Sequence, residues 1–552
     1  MLQHSQILTP LEMFYKWESE RSDSIYLRQP IDGIWQNYTW KNCGIEIRKM
    51  ASALKALNYP PKTNIAILSK NCVHWILADY AIWLAGYTSV PLYPNITAHT
   101  LEQILEHSEA KAIFVGKLDD WVELKNGIPE SLYKIEFHLY GEKGFNKWDE
   151  VCAQYSPYNE NVIRDIDEVC TIMYTSGTTG MPKGVMHSFY NFGYAASKAL
   201  PELNAMNNSQ KFFSYLPMCH IAERLLVEMG CLYCGGMISF AESLDSFPKN
   251  LADTKPTIFL AVPRIWAKFQ EKILQKMPQK KLNLFLSIPI LNSIVKRKIK
   301  TTLGLTEAKN IFSGAAPIPI DLVLWFKKIG IEIQQAYAMT EDCCYSHVNL
   351  KEHNKIGTVG QRLPGVEIQF SDEGEIQIKH DAMMKGYFKE PVLTKDAFTD
   401  NGFFKTGDKG EADSETFLTI TGRVKDMFKT SKGKYVSPSP IELKIASNTD
   451  IEQVCVVGLS LPQPIALIVL NESAKSKTKE DIENGIKETL STINTGLDSF
   501  EKMEKAVIVK ESWTIENNLM TPSLKVKRGD VEKKYQARYQ EWFDAKGILV
   551  WE

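Results

Sequence analysis

One run, Tyr174-Thr-Ser-Gly-Thr-Thr-Gly-Met-Pro-Lys-Gly-Val185, constrains this chain more than any other feature. It continues the apolar stretch Thr171-Ile-Met-Tyr174, so it reads as a strand that runs straight into a loop of Gly, Ser and Thr. Glycines let backbone N–H groups turn inward toward an anion. The hydroxyls add donors, and Lys183 adds positive charge. That composition suits a polyphosphate. The order is not that of the common P-loop, which needs Lys followed by Ser or Thr; here Lys183 precedes Gly184 and Val185. A flexible linker shares the composition but rarely sits directly behind an apolar strand.

The surroundings of the loop set the fold class. Short β-branched runs recur, as in Asn64–Ser69, Lys111–Gly116, Thr257–Val262 and Asn310–Ser313, with helix-compatible stretches such as Ala98–Ala110 between them. This alternation predicts an α/β protein with largely parallel sheets. The texture changes after about residue 365, where Glu375-Ile-Gln-Ile-Lys379 alternates like a half-exposed strand. A smaller domain is expected from near Thr421, with a helix at Ile441–Ser447, strands at Gln453–Gly458 and Ala466–Leu470, and a charged final helix.

Composition narrows the partners. Sixty-four Lys+Arg against 66 Asp+Glu give a net charge of −2, without the basic excess of a nucleic-acid binder. Ten cysteines spread over 552 residues read as reduced thiols of an intracellular protein, not as a secreted framework. Cys231-Leu-Tyr-Cys234 has redox-like spacing but apolar flanks, and reads as core. Met1–Glu20 lacks the pattern of a signal peptide. The longest apolar stretch, Trp75–Tyr93, is broken by Asp79, Gly86 and Pro91, so no membrane span is expected.

The Tyr174–Val185 segment closely resembles the signature loop of the adenylate-forming enzymes: acyl-CoA synthetases, luciferases and peptide-synthetase adenylation domains. By that resemblance Thr175, Ser176, Gly177, Thr178, Thr179, Gly180 and Lys183 hold the phosphates of ATP. The family's other motifs follow in order. Ser313-Gly-Ala-Ala-Pro317 resembles the adenine turn and implies Gly314, Ala315 and Ala316. Gln335-Ala-Tyr-Ala-Met-Thr-Glu341 resembles the segment that places Gln335, Ala336 and Tyr337 by the adenine, Thr340 on phosphate and Glu341 on Mg²⁺. Ala336 and Ala338 stand where many relatives carry Gly. Phe403-Phe-Lys-Thr-Gly-Asp408 resembles the ribose segment, with Asp408 accepting both hydroxyls. Thr421–Lys429 resembles the domain junction, with Arg423 on ribose or phosphate and Lys425 at the hinge. Ser431–Pro438 places Gly433 near the pantetheine path, and Thr521-Pro-Ser-Leu-Lys525 marks Lys525 as the catalytic lysine, with Lys527 two residues away.

The resemblance implies a large N-terminal domain, residues 1–422, of α/β subdomains plus a small β-barrel-like part. A small mobile α+β C-terminal domain, 423–552, would follow a hinge near Lys425. Tyr215-Leu-Pro-Met-Cys-His-Ile-Ala-Glu-Arg224 resembles a stretch of long-chain acyl-CoA synthetases, as do Pro263-Arg-Ile-Trp266 and Pro440-Ile-Glu442, and it puts His220 near the acyl carboxylate. The implied reaction joins ATP and a fatty acid into an acyl-adenylate, then passes the acyl group to coenzyme A. The alternatives are transfer to a carrier protein, a synthetase for a shorter or aromatic acid, and a silent nucleotide-binding protein. Gly458-Leu-Ser-Leu-Pro-Gln-Pro464 departs from the family's usual Gly-Asp start, which bears on the thiol step. Leu284–Val295 is apolar and Pro-interrupted, and reads as an acyl-tunnel lining, a peripheral membrane contact or plain core. The expected location is cytoplasmic, in solution or against a membrane.

Overall fold

A computed structural model describes residues 7–175 and 182–552. Ser176, Gly177, Thr178, Thr179 and Gly180 lie outside the described residues. The predicted strands form. Asn64–Leu68, Ala112–Val115, Ile258–Ala261 and Asn310–Ser313 are almost wholly buried, as strands of parallel sheets covered on both faces must be. Helix Ala98–Ser108 begins where Thr97 accepts the backbone N–H of Thr100.

Two large sheets carry the N-terminal part. One has eight strands, in the order Gly386–Tyr387, Lys183–Ser188, Val169–Thr175, Thr88–Leu92, Asn64–Leu68, Ala112–Val115, Tyr133–Glu136 and Asn146–Lys147. Its centre is parallel, but Val169–Thr175 and Lys183–Ser188 pair antiparallel, with Thr175 opposite Lys183. The other has nine strands, and its parallel run of Lys211–Ser214, Ile258–Ala261, Asn310–Ser313 and Gln334–Tyr337 brings Ser313 beside Gln335. Helix Val73–Leu84, the heart of the apolar stretch noted above, is buried at every residue.

The part expected to be barrel-like is a four-stranded antiparallel sheet, Glu367–Phe370, Glu375–Lys379, Phe404–Ala412 and Leu418–Arg423. Within it Glu375–Lys379 is not half exposed. Ile376, Gln377 and Ile378 are all covered, and the Gln377 amide oxygen accepts from Gln369 at 2.7 Å. The C-terminal part is α+β: a four-stranded sheet, Ile451–Val457, Ile465–Leu470, Lys505–Ile508 and Leu549–Trp551, with helices Pro438–Ile445, Lys479–Asn494 and Arg528–Tyr535. Cys231 and Cys234 are core residues. Among the described residues no helix is long and apolar enough to cross a membrane.

Candidate active site

The site lies where the ends of the two large sheets meet the antiparallel sheet and one C-terminal loop. Gly314 follows strand Asn310–Ser313, and Ala315 adopts φ +65°, which turns the chain sharply. A Cβ at position 314 would stand 3.4 Å from the Ala336 carbonyl oxygen, so the turn and the backbone of Gln334–Tyr337 are in close approach. Ser313 Oγ is buried there without a partner among the described residues.

Tyr337 leads to the next group. Its hydroxyl donates to Asp408 Oδ2 at 2.9 Å, while Arg423 Nε donates to Asp408 Oδ1 at 2.7 Å. Asp408 and Arg423 are register partners on adjacent strands, which fixes the ion pair from the backbone upward. Asp408 is buried, and burial followed by the Asp408 charge pushes the Tyr337 hydroxyl well above its ordinary pKa. Tyr337 and Arg423 thus hold Asp408 on both oxygens, with lone pairs left to accept hydroxyls.

On the other side, Lys183 Nζ lies 5.4 Å from the centre of the Tyr387 ring, and the Tyr387 hydroxyl donates to Glu341 Oε1 at 2.9 Å. Val185 pairs with Tyr387 in the sheet, so the strand leaving the phosphate loop positions both. The backbone of the Thr340–Glu341 segment is pinned twice. Met384 N donates to Glu341 O at 2.8 Å, and His187 Nε2 donates to Thr340 O at 2.7 Å. His187 is a neutral donor, since burial drops its pKa to about 4.

Lys525 joins these groups from the C-terminal part. It sits on a tight loop in which Thr521 Oγ1 accepts the Lys525 N–H at 3.0 Å and Leu524 takes φ +61°. Asn95 Nδ2 donates to Pro522 O at 2.9 Å and ties this loop to the N-terminal part. The Lys525 ammonium is held below the usual lysine pKa by desolvation among its neighbours and by the Arg423 charge, against the opposing pull of Asp408 and Glu341, although the residue as a whole is exposed. It is also felt by His220, which burial and then the Lys525 charge keep neutral, at about 4. Lys527 points elsewhere, donating to Asn518 Oδ1 at 2.6 Å and pairing with Asp530 at 2.8 Å.

Lys183 on the strand after the Gly/Ser/Thr run, the tight turn at Gly314–Ala315, the carboxylate of Asp408 and a lysine brought in by a second structural unit lie on one side of the molecule. Residues 14–388 match the AMP-binding enzyme family, and residues 425–546 match the AMP-binding enzyme C-terminal domain. The chain belongs to the AMP-binding enzyme family.

This AMP-binding enzyme is 27% identical to the long-chain-fatty-acid–CoA ligase FadD15 of Mycobacterium bovis, over 95% of each chain. It is 27% identical to long chain acyl-CoA synthetase 3 of Arabidopsis thaliana, over 94% of this chain and 89% of that one. Among solved structures it resembles the adenylation domain of a carboxylate reductase from Mycobacterium chelonae, with a TM-score of 0.80, 20% identity, and 98% and 91% of the two chains covered. At that identity the likeness is one of fold.

Other sequence-derived residues fall into place unevenly in this AMP-binding enzyme. His220 caps helix Ile221–Glu223, its Nδ1 accepting from Ala222 N at 3.2 Å, which leaves Nε2–H to donate. Lys425 is exposed on the single turn Val424–Asp426 that joins the antiparallel sheet to the C-terminal part. Gly433 does not join the cluster. It lies in the turn between Phe428–Lys429 and Tyr435–Val436 at φ +76°, where an added Cβ would meet Lys429. Within the basic run Lys525–Arg538, Arg528 turns inward, donating to Val456 O at 2.7 Å and pairing with Glu442 and Asp426, while Lys533 and Lys534 are exposed.

Three contributors escaped the sequence reading. Tyr387 and His187 sit in unremarkable strand positions, and only strand pairing brings them to Glu341 and Thr340. Arg224 is fully buried on the π-helical turn Arg224–Met229, donating to Asp79 Oδ2 at 2.5 Å and to Thr171 Oγ1 at 2.8 Å, behind the strand that leads to the phosphate loop. A charged residue at the end of a recognisable motif was the available signal.

Proposed function

We propose that this enzyme is an AMP-forming long-chain fatty acid–CoA ligase. The observation that carries the reading is the docking of the Lys525 loop on the N-terminal part through the Asn95–Pro522 hydrogen bond, which puts its ammonium within electrostatic reach of Glu341, Asp408, Arg423 and His220. The long-chain acid is supported by the relatives' names and by near-complete mutual coverage with them.

A carboxylate has a poor leaving group. Its attack on the α-phosphorus of ATP breaks the bond to pyrophosphate and leaves an acyl-adenylate, from which a thiol displaces AMP. Negative charge gathers around phosphorus in the first step. Lys525 and Lys183 offset it, and preorganised charge of this kind is commonly the largest catalytic term. Asp408 accepts the ribose hydroxyls, while Gly314, Ala315, Ala316, Gln335, Ala336 and Tyr337 receive the adenine. His220 Nε2–H donates to the acyl carboxylate and orients it.

Magnesium fits the donor set. Among the described residues no three His, Cys, Asp or Glu side chains cluster. One carboxylate, Glu341, suits an ion that prefers oxygen and keeps water and phosphate in its shell. When bound there, Mg²⁺ adds positive charge to the phosphate oxygens. For the second step, residues 423–552 pivot near Lys425 against residues 1–422 and bring Gly433 to the coenzyme A path. The cysteines are all free thiols, which fits a reducing, cytoplasmic location.

The test is a screen of acids of increasing chain length with ATP and Mg²⁺, with and without coenzyme A. Thioester formation that peaks with long acyl chains is the expected result. Pyrophosphate release without any coenzyme A thioester would overturn the acceptor and favour a carrier protein. A peak at short or aromatic acids would overturn the substrate class.

A further inference from the structure

Helices Gln279–Ser287 and Pro289–Thr302 form a hairpin that stands apart from the site. The tip is rigid by construction. Pro289 opens the second helix at a position whose N–H needs no partner, and Asn292 Nδ2 donates back to Leu286 O at 2.6 Å. Trp325 Nε1 donates to Gln279 Oε1 at 2.8 Å and anchors the base. Leu282, Val295 and Ile299 face inward, in the same apolar cluster as Trp266 and Phe326.

The opposite face is apolar and open. Leu284 is 59% exposed, Ile290 76% and Ile294 55%, with Ile288 exposed between them. Plain core packing is therefore overturned for this half of Leu284–Val295. Isolated exposed apolar residues need no explanation, but a rigid tip carrying four of them does. The charge around the tip is equally one-sided. Residues 272–306 contain eight Lys or Arg and no Asp or Glu, in a chain whose net charge is −2.

The two features are in register. Lys280 and Lys281 lie one helical turn before Leu284, and Arg297 and Lys298 lie one turn after Ile294. All four cations are exposed. At the rise of an α-helix, one turn sets each cation about 5 Å further from the tip than its apolar neighbour. That offset matches the depth to which amphipathic helices enter the headgroup boundary, about 5–10 Å. Apolar side chains at the tip would reach the acyl region while both pairs of cations stay at the phosphates.

We propose that this hairpin docks the enzyme on an anionic bilayer surface, with Leu284, Ile288, Ile290 and Ile294 inserted and the flanking cations on lipid phosphates. The docking stands independently of the acyl assignment, because it needs neither ATP nor acid.

The test uses the full chain and vesicles without substrate. The parent is expected to co-sediment with vesicles of phosphatidylcholine and phosphatidylglycerol, to bind pure phosphatidylcholine weakly, and to be released by salt. Reversing Lys280→Glu and Arg297→Glu should weaken binding about tenfold or more, since each basic residue near such a surface is worth roughly fivefold. Leu284→Ser with Ile290→Ser should weaken it by about tenfold as well. Both variants should keep the parent's thermal midpoint, as the replaced side chains are exposed. An Ile290→Trp variant should shift its emission to the blue on anionic vesicles. Absence of vesicle binding by the parent, variants that bind like the parent, or a dimer that these same variants dissolve would each overturn the proposal. None of those results bears on thioester formation, which is scored separately.

Discussion

The loop 521–525 and the turn 430–434 belong to the same C-terminal unit, yet they stand differently toward Glu341, Asp408 and Arg423. The first is tied to the N-terminal part through Asn95, and its Lys525 ammonium feels Glu341, Asp408 and Arg423. The second packs on its own hairpin, with Gly433 N donating to Thr430 O at 2.9 Å and Lys434 over the ring of Phe500. Under the proposed function this is the arrangement that the first half-reaction needs. On that reading the small unit must turn between the two steps, because in this arrangement only the Lys525 loop reaches Glu341, Asp408 and Arg423.

The sharpest way to break that comparison is Lys525→Ala. Acid-dependent pyrophosphate release should fall by about 10²–10³, the range for removing one preorganised charge donor. Conversion of a supplied acyl-adenylate by coenzyme A should change by no more than about threefold, since that step does not use the ammonium. Equal losses in both steps would show that Lys525 does not separate them. Gly433→Val probes the other loop. At φ +76° a β-branched residue is strongly disfavoured, so the turn must rearrange. Thioester formation should slow by about tenfold while adenylation holds, consistent with a strain of roughly 1–2 kcal/mol at that residue. Slowed adenylation with a normal thiol step would reverse the assignment of the two loops.

How far the sequence reached differs by residue type. Strands such as Ala112–Val115 were legible because parallel strands buried on both faces are continuously apolar. Asp408, Glu341 and Lys525 were named only because their motifs resemble those of the adenylate-forming enzymes; taken alone, Thr340-Glu341 reads as a helix start and Thr406-Gly-Asp408 as a turn. Lys525 could not be separated from Lys527 by spacing alone. The structure separates them because Lys527 is occupied by Asn518 and Asp530. Gln377 looked exposed because a polar residue alternated with isoleucines, but a neighbouring amide lets it be buried at little cost. Tyr387 was invisible for a different reason. Its role comes from pairing Gly386–Tyr387 with Lys183–Ser188, a contact between segments about two hundred residues apart in the chain that no local pattern announces.

Tyr387→Phe tests that long-range contact. It removes the hydroxyl that fixes Glu341 Oε1 and leaves the ring under Lys183. The Mg²⁺ concentration for half-maximal adenylation should rise by about tenfold, the lower end for losing a partner that orients a metal ligand. The rate at saturating Mg²⁺ should change little. A lower saturated rate with unchanged Mg²⁺ demand would place Tyr387 on the substrate instead.

The subtlest effect belongs to His187, on the strand that leaves the phosphate loop. Burial holds its pKa near 4 against an unfolded value of 6.5. The unfolded chain therefore binds a proton that the native ring refuses. The ring's contribution to stability is complete above pH 6.5 and is lost as pH falls toward 4, by up to about 1.4 kcal/mol per pH unit. His187→Gln keeps an N–H for the Thr340 carbonyl and cannot titrate. The parent should thus lose stability relative to the variant as pH falls from 7 to 5 in denaturant titrations. Most other titrating groups are the same in both chains and cancel, but His380 feels the His187 charge, so the pair is best compared in a His380→Gln background. A stability difference that stays flat across that window would mean that His187 is hydrated in solution. The pin between the phosphate-loop strand and Thr340 would then be looser than its 2.7 Å hydrogen bond indicates.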